Sequence, residues 1–196
     1  MDAITKILNT GNPEGKYHCV LGVADTERGR EIRDRMITWL APVYAVTEVW
    51  HDGSLFEQPA LRYMQDWCKE SGKSCLYLHT RGAYKTHWTT VPTRKMWKEE
   101  FGKHADEYFG AVAGEQAMVA CPLTGSKNRT WYNGFVANAA AMCAIPAIEP
   151  NADRKVFEKL FTDMPVRVIG TRVWADDKKD WESLYFAREY LKRNYL

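Results

Sequence analysis

With 196 residues, 45% of them apolar and 27% charged, the chain has the make-up of one globular domain with a sizeable core, which excludes extensive disorder and leaves two independent domains cramped. A net charge of +2 does not mark a dedicated nucleic-acid binder, so any anion site must come from local clusters. Five cysteines with no CxxC pair argue against a zinc site or a disulfide framework and for reduced thiols.

In chain order, "YHCVLGV" (residues 17–23) predicts a β-strand, and "ADTERGREIRDRMITWLAP" after it predicts a helix. Ile32, Met36, Trp39 and Leu40 fall at helical spacing, with Asp25 or Thr26 as N-cap and Pro42 as the stop. "VYAVTEVW" is a second strand, ending in "HDGS". The helix that follows, "LFEQPALRYMQDWCKESGK", shows one apolar face of Leu61, Met64, Trp67 and Cys68 and closes at Gly72. "SCLYLHT" is the third strand. This βαβαβ run predicts a single Rossmann-like α/β domain over residues 1–196, with a mostly parallel central sheet and helices on both faces.

Beyond a polar loop, "TRKMWKEEFGKHADEYFGAVAG" has helical periodicity that Gly102 bends or divides. "AMVACPL" reads as a fourth strand. A loop over residues 125–129 leads into "TWYNGFVANAAAMCAIP", a short strand or turn feeding a small helix. The last third offers two helices, "DRKVFEKLFTD" and "DWESLYFAREYLKRNYL", around the strand "VRVIG".

Ligands of open α/β sheets sit beyond the carboxyl ends of the strands. Three polar segments fall there: "HDGS", "HTRGAYKTHW" and "TGSKNR". In the second, Arg81 offers a planar fork of donors, Lys85 a point charge and Gly82 a close backbone approach, a set suited to a phosphate or diphosphate. A merely solvated basic loop is the alternative, and His79, at the end of an apolar strand, also suits a buried hydrogen-bonding role. No GxGxxG follows the first strand, "ACPLTGSKN" lacks the first glycine of a Walker A loop, and HExxH and GxSxG are missing. The acidic run "ADDKKD" reads as a helix cap. The N-terminal "MDAITKILNTGNPEGK" lacks the apolar run of a signal peptide and no stretch is long enough to span a membrane, so the expectation is a cytoplasmic protein in which the sequon "NRT" is a chance match.

Four segments in order, "FEQPALRYM", "YLHTRG", "MWKEEF" with the "YF" that follows, and "WYNGFVANAAAM", resemble a family of small glycosyltransferase-like proteins of bacteria and viruses. That family carries FE-x-P-x-L, a strand ending in YLHTKG, a Trp-containing helix and an SGNFWWA-like turn. The resemblance covers roughly residues 16–148. It implies a GT-A-type fold holding a nucleotide-diphosphate sugar as co-substrate at the strand ends. Arg81 stands in place of the motif's Lys, and "FVANA" lacks the tandem Trp.

The resemblance puts His79, Thr80, Arg81, Gly82 and Lys85 at the donor. The turn then lies where many such enzymes hold a metal through Asp-x-Asp, so the expectation is metal-independent transfer, with Arg81 and Lys85 neutralising the leaving diphosphate and no further cofactor. Trp88, Asn133, Gly134 and Asn138 fall near the sugar or acceptor, although a turn capping the helix near Asn138 accounts equally well for the last three. Asp52, His51 and Glu57 are candidate bases that no sequence feature ranks, and Glu57 is also placed to cap the helix it opens. The acceptor is a glycan or a hydroxylated base in DNA; for DNA, Trp88, Arg94, Lys95, Trp97, Lys98, Lys127 and Arg129 would stack and contact phosphates, with an amphipathic helix face as the alternative reading of the same residues. A non-catalytic nucleotide- or glycan-binding module is the alternative function.

Overall fold

A computed structural model of the chain describes residues 18–41, 45–52, 57–78, 90–124, 130, 134–149, 159–172 and 180–195. In chain order the elements are β1 (His18–Ala24), α1 (Glu27–Leu40), β2 (Ala45–His51), α2 (Gln58–Ser71), β3 (Cys75–Tyr77), α3 (Thr90–Lys103), α4 (Ala105–Ala111), β4 (Met118–Thr124), β5 (Phe135–Ala137), α5 (Ala139–Ala144), β6 (Arg167–Arg172) and α6 (Asp180–Tyr195). The predicted elements recur within a few residues. The long helical stretch is divided, with the break at His104, two residues beyond Gly102. Of the helix expected over residues 153–163 the described part, 159–163, is instead a turn that buries Phe161.

Local chemistry sets the helix ends. Thr26, not Asp25, caps α1, its hydroxyl accepting from Gly29 N at 3.0 Å. Gly72 ends α2 at φ 68°, a left-handed position that costs glycine least, and its N–H bonds to Cys68 O at 3.0 Å.

The strands form a parallel pair, β1 with β2, and a four-stranded sheet in the order β3-β5-β4-β6. In that sheet β5 runs antiparallel to both β3 and β4, while β6 is parallel to β4. The expected mostly parallel sheet is therefore corrected to a mixed one. Residues 125–134 are too few for the helical crossover that a parallel return needs, so the chain doubles back beside β4. Periodicity in three apolar residues carries no sign of strand direction.

Both faces of the four-stranded sheet are covered, and the strand residues alternate between two clusters. Cys75, Tyr77, Val119, Cys121, Phe135 and Ala137 pack with Leu61, Met64 and Cys68 of α2 and with Ala141 and Met142 of α5. Leu76, Leu78, Met118, Ala120 and Val136 pack with Met96, Trp97 and Phe101 of α3, Tyr108 of α4 and Leu191 of α6. This is the period-2 signature of a strand buried on both sides. Burial of a side chain such as Phe101, Phe135 or Phe161, all without solvent exposure, contributes about 1.5–3 kcal/mol each.

Alternation breaks once. Leu123 joins the cluster of Ala120, three residues apart, because the β4–β6 register shifts between Ala120 and Leu123. Pro122 lies inside that shift and has no N–H to give to a ladder, so the irregularity falls where the sequence can tolerate it.

The β1–β2 pair has helices on its two sides. Arg33 of α1 forms a two-pronged ion pair with Glu48, which also accepts from Trp50 Nε1 at 3.0 Å. Ala60 of α2 sits against Gly22, which pairs with Val49, the neighbour of Glu48 on the opposite face. Among the described residues no helix is long and apolar enough to cross a membrane.

Candidate functional site

Because β3, β4 and β6 point the same way and β5 points against them, one edge of the sheet collects three carboxyl ends and one amino end. The chain leaves this edge at Leu78, Thr124 and Arg172 and returns at Gly134. Thr124 also forms an isolated antiparallel bridge with Thr130, and both threonines are buried. The predicted donor residues His79, Thr80, Arg81, Gly82 and Lys85, and the predicted acceptor residues Trp88 and Asn133, lie outside the described residues.

A second edge is formed by the carboxyl ends of β1 and β2. Ala24 and His51 are partners in the register, and Asp25 N donates to His51 O at 2.6 Å. His51 is half-buried there and Asp52, the next residue, is exposed. The Asp25 carboxylate is engaged by Arg30 at 2.6 and 3.1 Å; both side chains are exposed, so the pair contributes at most about 1 kcal/mol. Glu57 occupies the N-cap position of α2, but its carboxylate makes no capping hydrogen bond. Pro59 in that first turn removes one of the N–H groups a cap would serve. One oxygen of Glu57, Oε2, is buried.

Gly134 and Asn138 both have structural duties. A Cβ at Gly134 would collide with Trp97 Nε1 and come within 3.0 Å of Trp97 Cε2 and 3.1 Å of Phe101 Cε2. The missing side chain therefore lets β5 enter close beneath α3. Asn138 is 4% exposed. Its Oδ1 accepts from Ala141 N at 2.9 Å, capping α5, and from Met118 N at 3.1 Å. Its Nδ2 faces the carbonyls of Val112 at 3.1 Å, Gly114 at 3.3 Å and Gln116 at 2.6 Å. Capping accounts for one of these bonds, and the others tie the side chain to the segment from Val112 to Met118.

Of the residues considered for DNA contact, Trp97 is corrected to a core residue, 5% exposed. Lys95 on the same helix is exposed, while Trp88, Lys127 and Arg129 lie outside the described residues. Among the described residues no three His, Cys, Asp or Glu side chains gather as metal ligands.

Sequence reasoning passed over Gln65. It is wholly buried on α2, where Nε2 donates to the carbonyls of Met142 at 3.1 Å, Ile145 at 3.2 Å and Pro146 at 3.0 Å. Its Oε1 accepts from Ile148 N at 3.1 Å. Arg62, one turn earlier, adds a bond to Ile148 O at 3.2 Å. The signal was present, since Gln65 falls at helical spacing between Leu61 and Cys68, and a polar side chain on an apolar stripe implies a buried partner.

Comparison of the chain with protein-family models, with curated proteins and with solved structures finds no match.

Proposed function

We propose that the chain transfers a sugar from a nucleotide-diphosphate donor to an acceptor hydroxyl. In this reading Arg81 and Lys85, rather than a divalent metal, neutralise the departing diphosphate, and the domain is a GT-A-like variant with a mixed sheet. The observation that carries the proposal is the shared orientation of β3 and β4 around antiparallel β5. It starts the segments "HTRGAYK" and "GSKNR" from the same end of one sheet, so two basic stretches 46 residues or so apart in sequence leave strands with only β5 between them. An anion with two phosphates needs cationic and backbone donors from more than one segment, which is what this reading asks of the two stretches.

At the other edge, His51 and Asp52 are the groups from which a base for the acceptor hydroxyl is drawn, with Glu57 as the third. A base must reach the hydroxyl within hydrogen-bond distance, and Asp52 is an exposed residue at a strand end.

The test is donor hydrolysis. The full chain is incubated with UDP, GDP, CDP and TDP sugars without acceptor, in parallel with and without chelator. Release of nucleoside diphosphate from one donor, lost in Arg81→Ala, supports the reading. Binding without release leaves a non-catalytic module. Activity abolished by chelator and restored by manganese overturns the metal-free mechanism. Glycans and hydroxymethylated DNA are then compared as acceptors by product mass.

A further inference from the structure

Trp50, at 44%, is the most exposed large apolar residue among those described, and it is pinned in place. Its Nε1 donates to Glu48 Oε2 at 3.0 Å, the two residues sharing one face of β2. Arg33 of α1 clamps the same carboxylate, Nε donating to Oε2 at 3.0 Å and a terminal nitrogen to Oε1. These bonds, that from Arg33 foremost, hold the Glu48 carboxyl below its ordinary value. An indole whose N–H is already used by the protein has its ring faces left for a ligand, and fixing the ring beforehand lowers the ordering cost of binding.

We infer that Trp50 is a preset platform on which a pyranose ring of an uncharged glycan stacks at the carboxyl end of β2. The C–H face of such a ring is apolar and complements the negative face of an indole. Charge separates this ligand from a nucleic acid. Residues 18–52, the β1-α1-β2 unit, carry six acidic side chains and four arginines, two negative charges in excess within a chain of net charge +2. Arg30 is paired with Asp25, and Arg33 with Glu48 and Asp34. A phosphate backbone meets no positive excess here, whereas sugar hydroxyls donate readily to carboxylates. Asp52, exposed two residues beyond Trp50, adds another acid at the same strand end. In calling this ring the acceptor, the inference rests on the transferase reading; the stacking itself does not.

The full chain, labelled with ¹⁵N, is followed through its indole N–H signals, that of Trp50 being identified by its loss in Trp50→Phe. Maltohexaose, cellohexaose, chitohexaose and mannohexaose are titrated in turn, with oligothymidylate as the nucleic-acid arm. At least one hexaose should shift the Trp50 signal saturably, and Trp50→Ala, shown to be folded by its melting curve, should bind that sugar about tenfold more weakly or worse. The inference is overturned if no hexaose moves the signal, if oligothymidylate alone moves it, or if Trp50→Ala binds the sugar as well as the parent chain does. Sugar binding at Trp50 without hydrolysis of any nucleotide sugar would sink the transferase and keep this site; hydrolysis with Trp50 unmoved by every hexaose would do the reverse.

Discussion

The side-chain amide of Asn138 donates to the carbonyl of Gln116 at 2.6 Å, tying the start of α5 to the chain just before β4. The same side chain accepts from Met118 N and Ala141 N. If Asn138 were only a cap, Asn138→Asp would leave stability nearly unchanged, because Asp caps as well as Asn. The geometry predicts otherwise: the carbonyls of Val112, Gly114 and Gln116 lose their donor and face a carboxylate. The expected loss is about 2–4 kcal/mol, read by urea denaturation.

Gln65→Leu tests the second buried amide. The apolar side chain fills similar space but leaves the carbonyls of Met142, Ile145 and Pro146 and the N–H of Ile148 without their partner. A destabilisation of about 2–4 kcal/mol is expected by denaturant titration. Gain of stability on this substitution would show that residues 145–148 find other partners.

Gly134→Ala inserts a methyl group where Trp97 and Phe101 already stand. The expected cost is about 1–3 kcal/mol. In a double-mutant cycle Trp97→Phe should relieve part of it, because the collision is with the indole. Additive costs would contradict the packing explanation for this glycine.

Glu100 accepts from Tyr108 OH and Tyr195 OH, each at 2.8 Å, joining α3, α4 and the end of α6. Burial first, then the hydrogen bond and charge of Glu100, push both phenols well above their ordinary range. A raised folded-state pKa contributes stability that is complete below the unfolded value, about 10, and is lost as pH rises beyond it. Stability should therefore fall on the alkaline side of about pH 10, and phenolate absorbance should show late-titrating tyrosines in the native protein. Glu100→Gln should bring that titration down in pH and flatten the alkaline loss.

Much of the fold was legible because its signals are local. The apolar face of Leu61, Met64 and Cys68, the stop at Gly72 and the cap near Asn138 each depend on residues within one or two turns. The direction of β5 was not legible. It follows from where a three-residue strand lies between β3 and β4, a tertiary fact with no sequence period. The packing of Gly134 against Trp97 was not legible for a related reason: a glycine beside asparagine and a tryptophan beside lysine fit turn or ligand chemistry as well as a core until their mutual contact is known. Of the candidate bases, His51 and Asp52 do fall at a strand end, as their position after an apolar run implied.

Placing β5 between β3 and β4 also imposes an order of assembly. Among the described residues β3 pairs with β5 alone, so the third strand has no ladder partner until the chain has been made through Ala137. A nascent chain carries Cys75–Tyr77 unpaired while all of α3, α4 and β4 are synthesised. Distant pairings of this kind slow folding and prolong the exposure of apolar strand edges. The helices made early, α1 and α2, can settle on the β1–β2 pair during that wait, leaving the mixed sheet to close last.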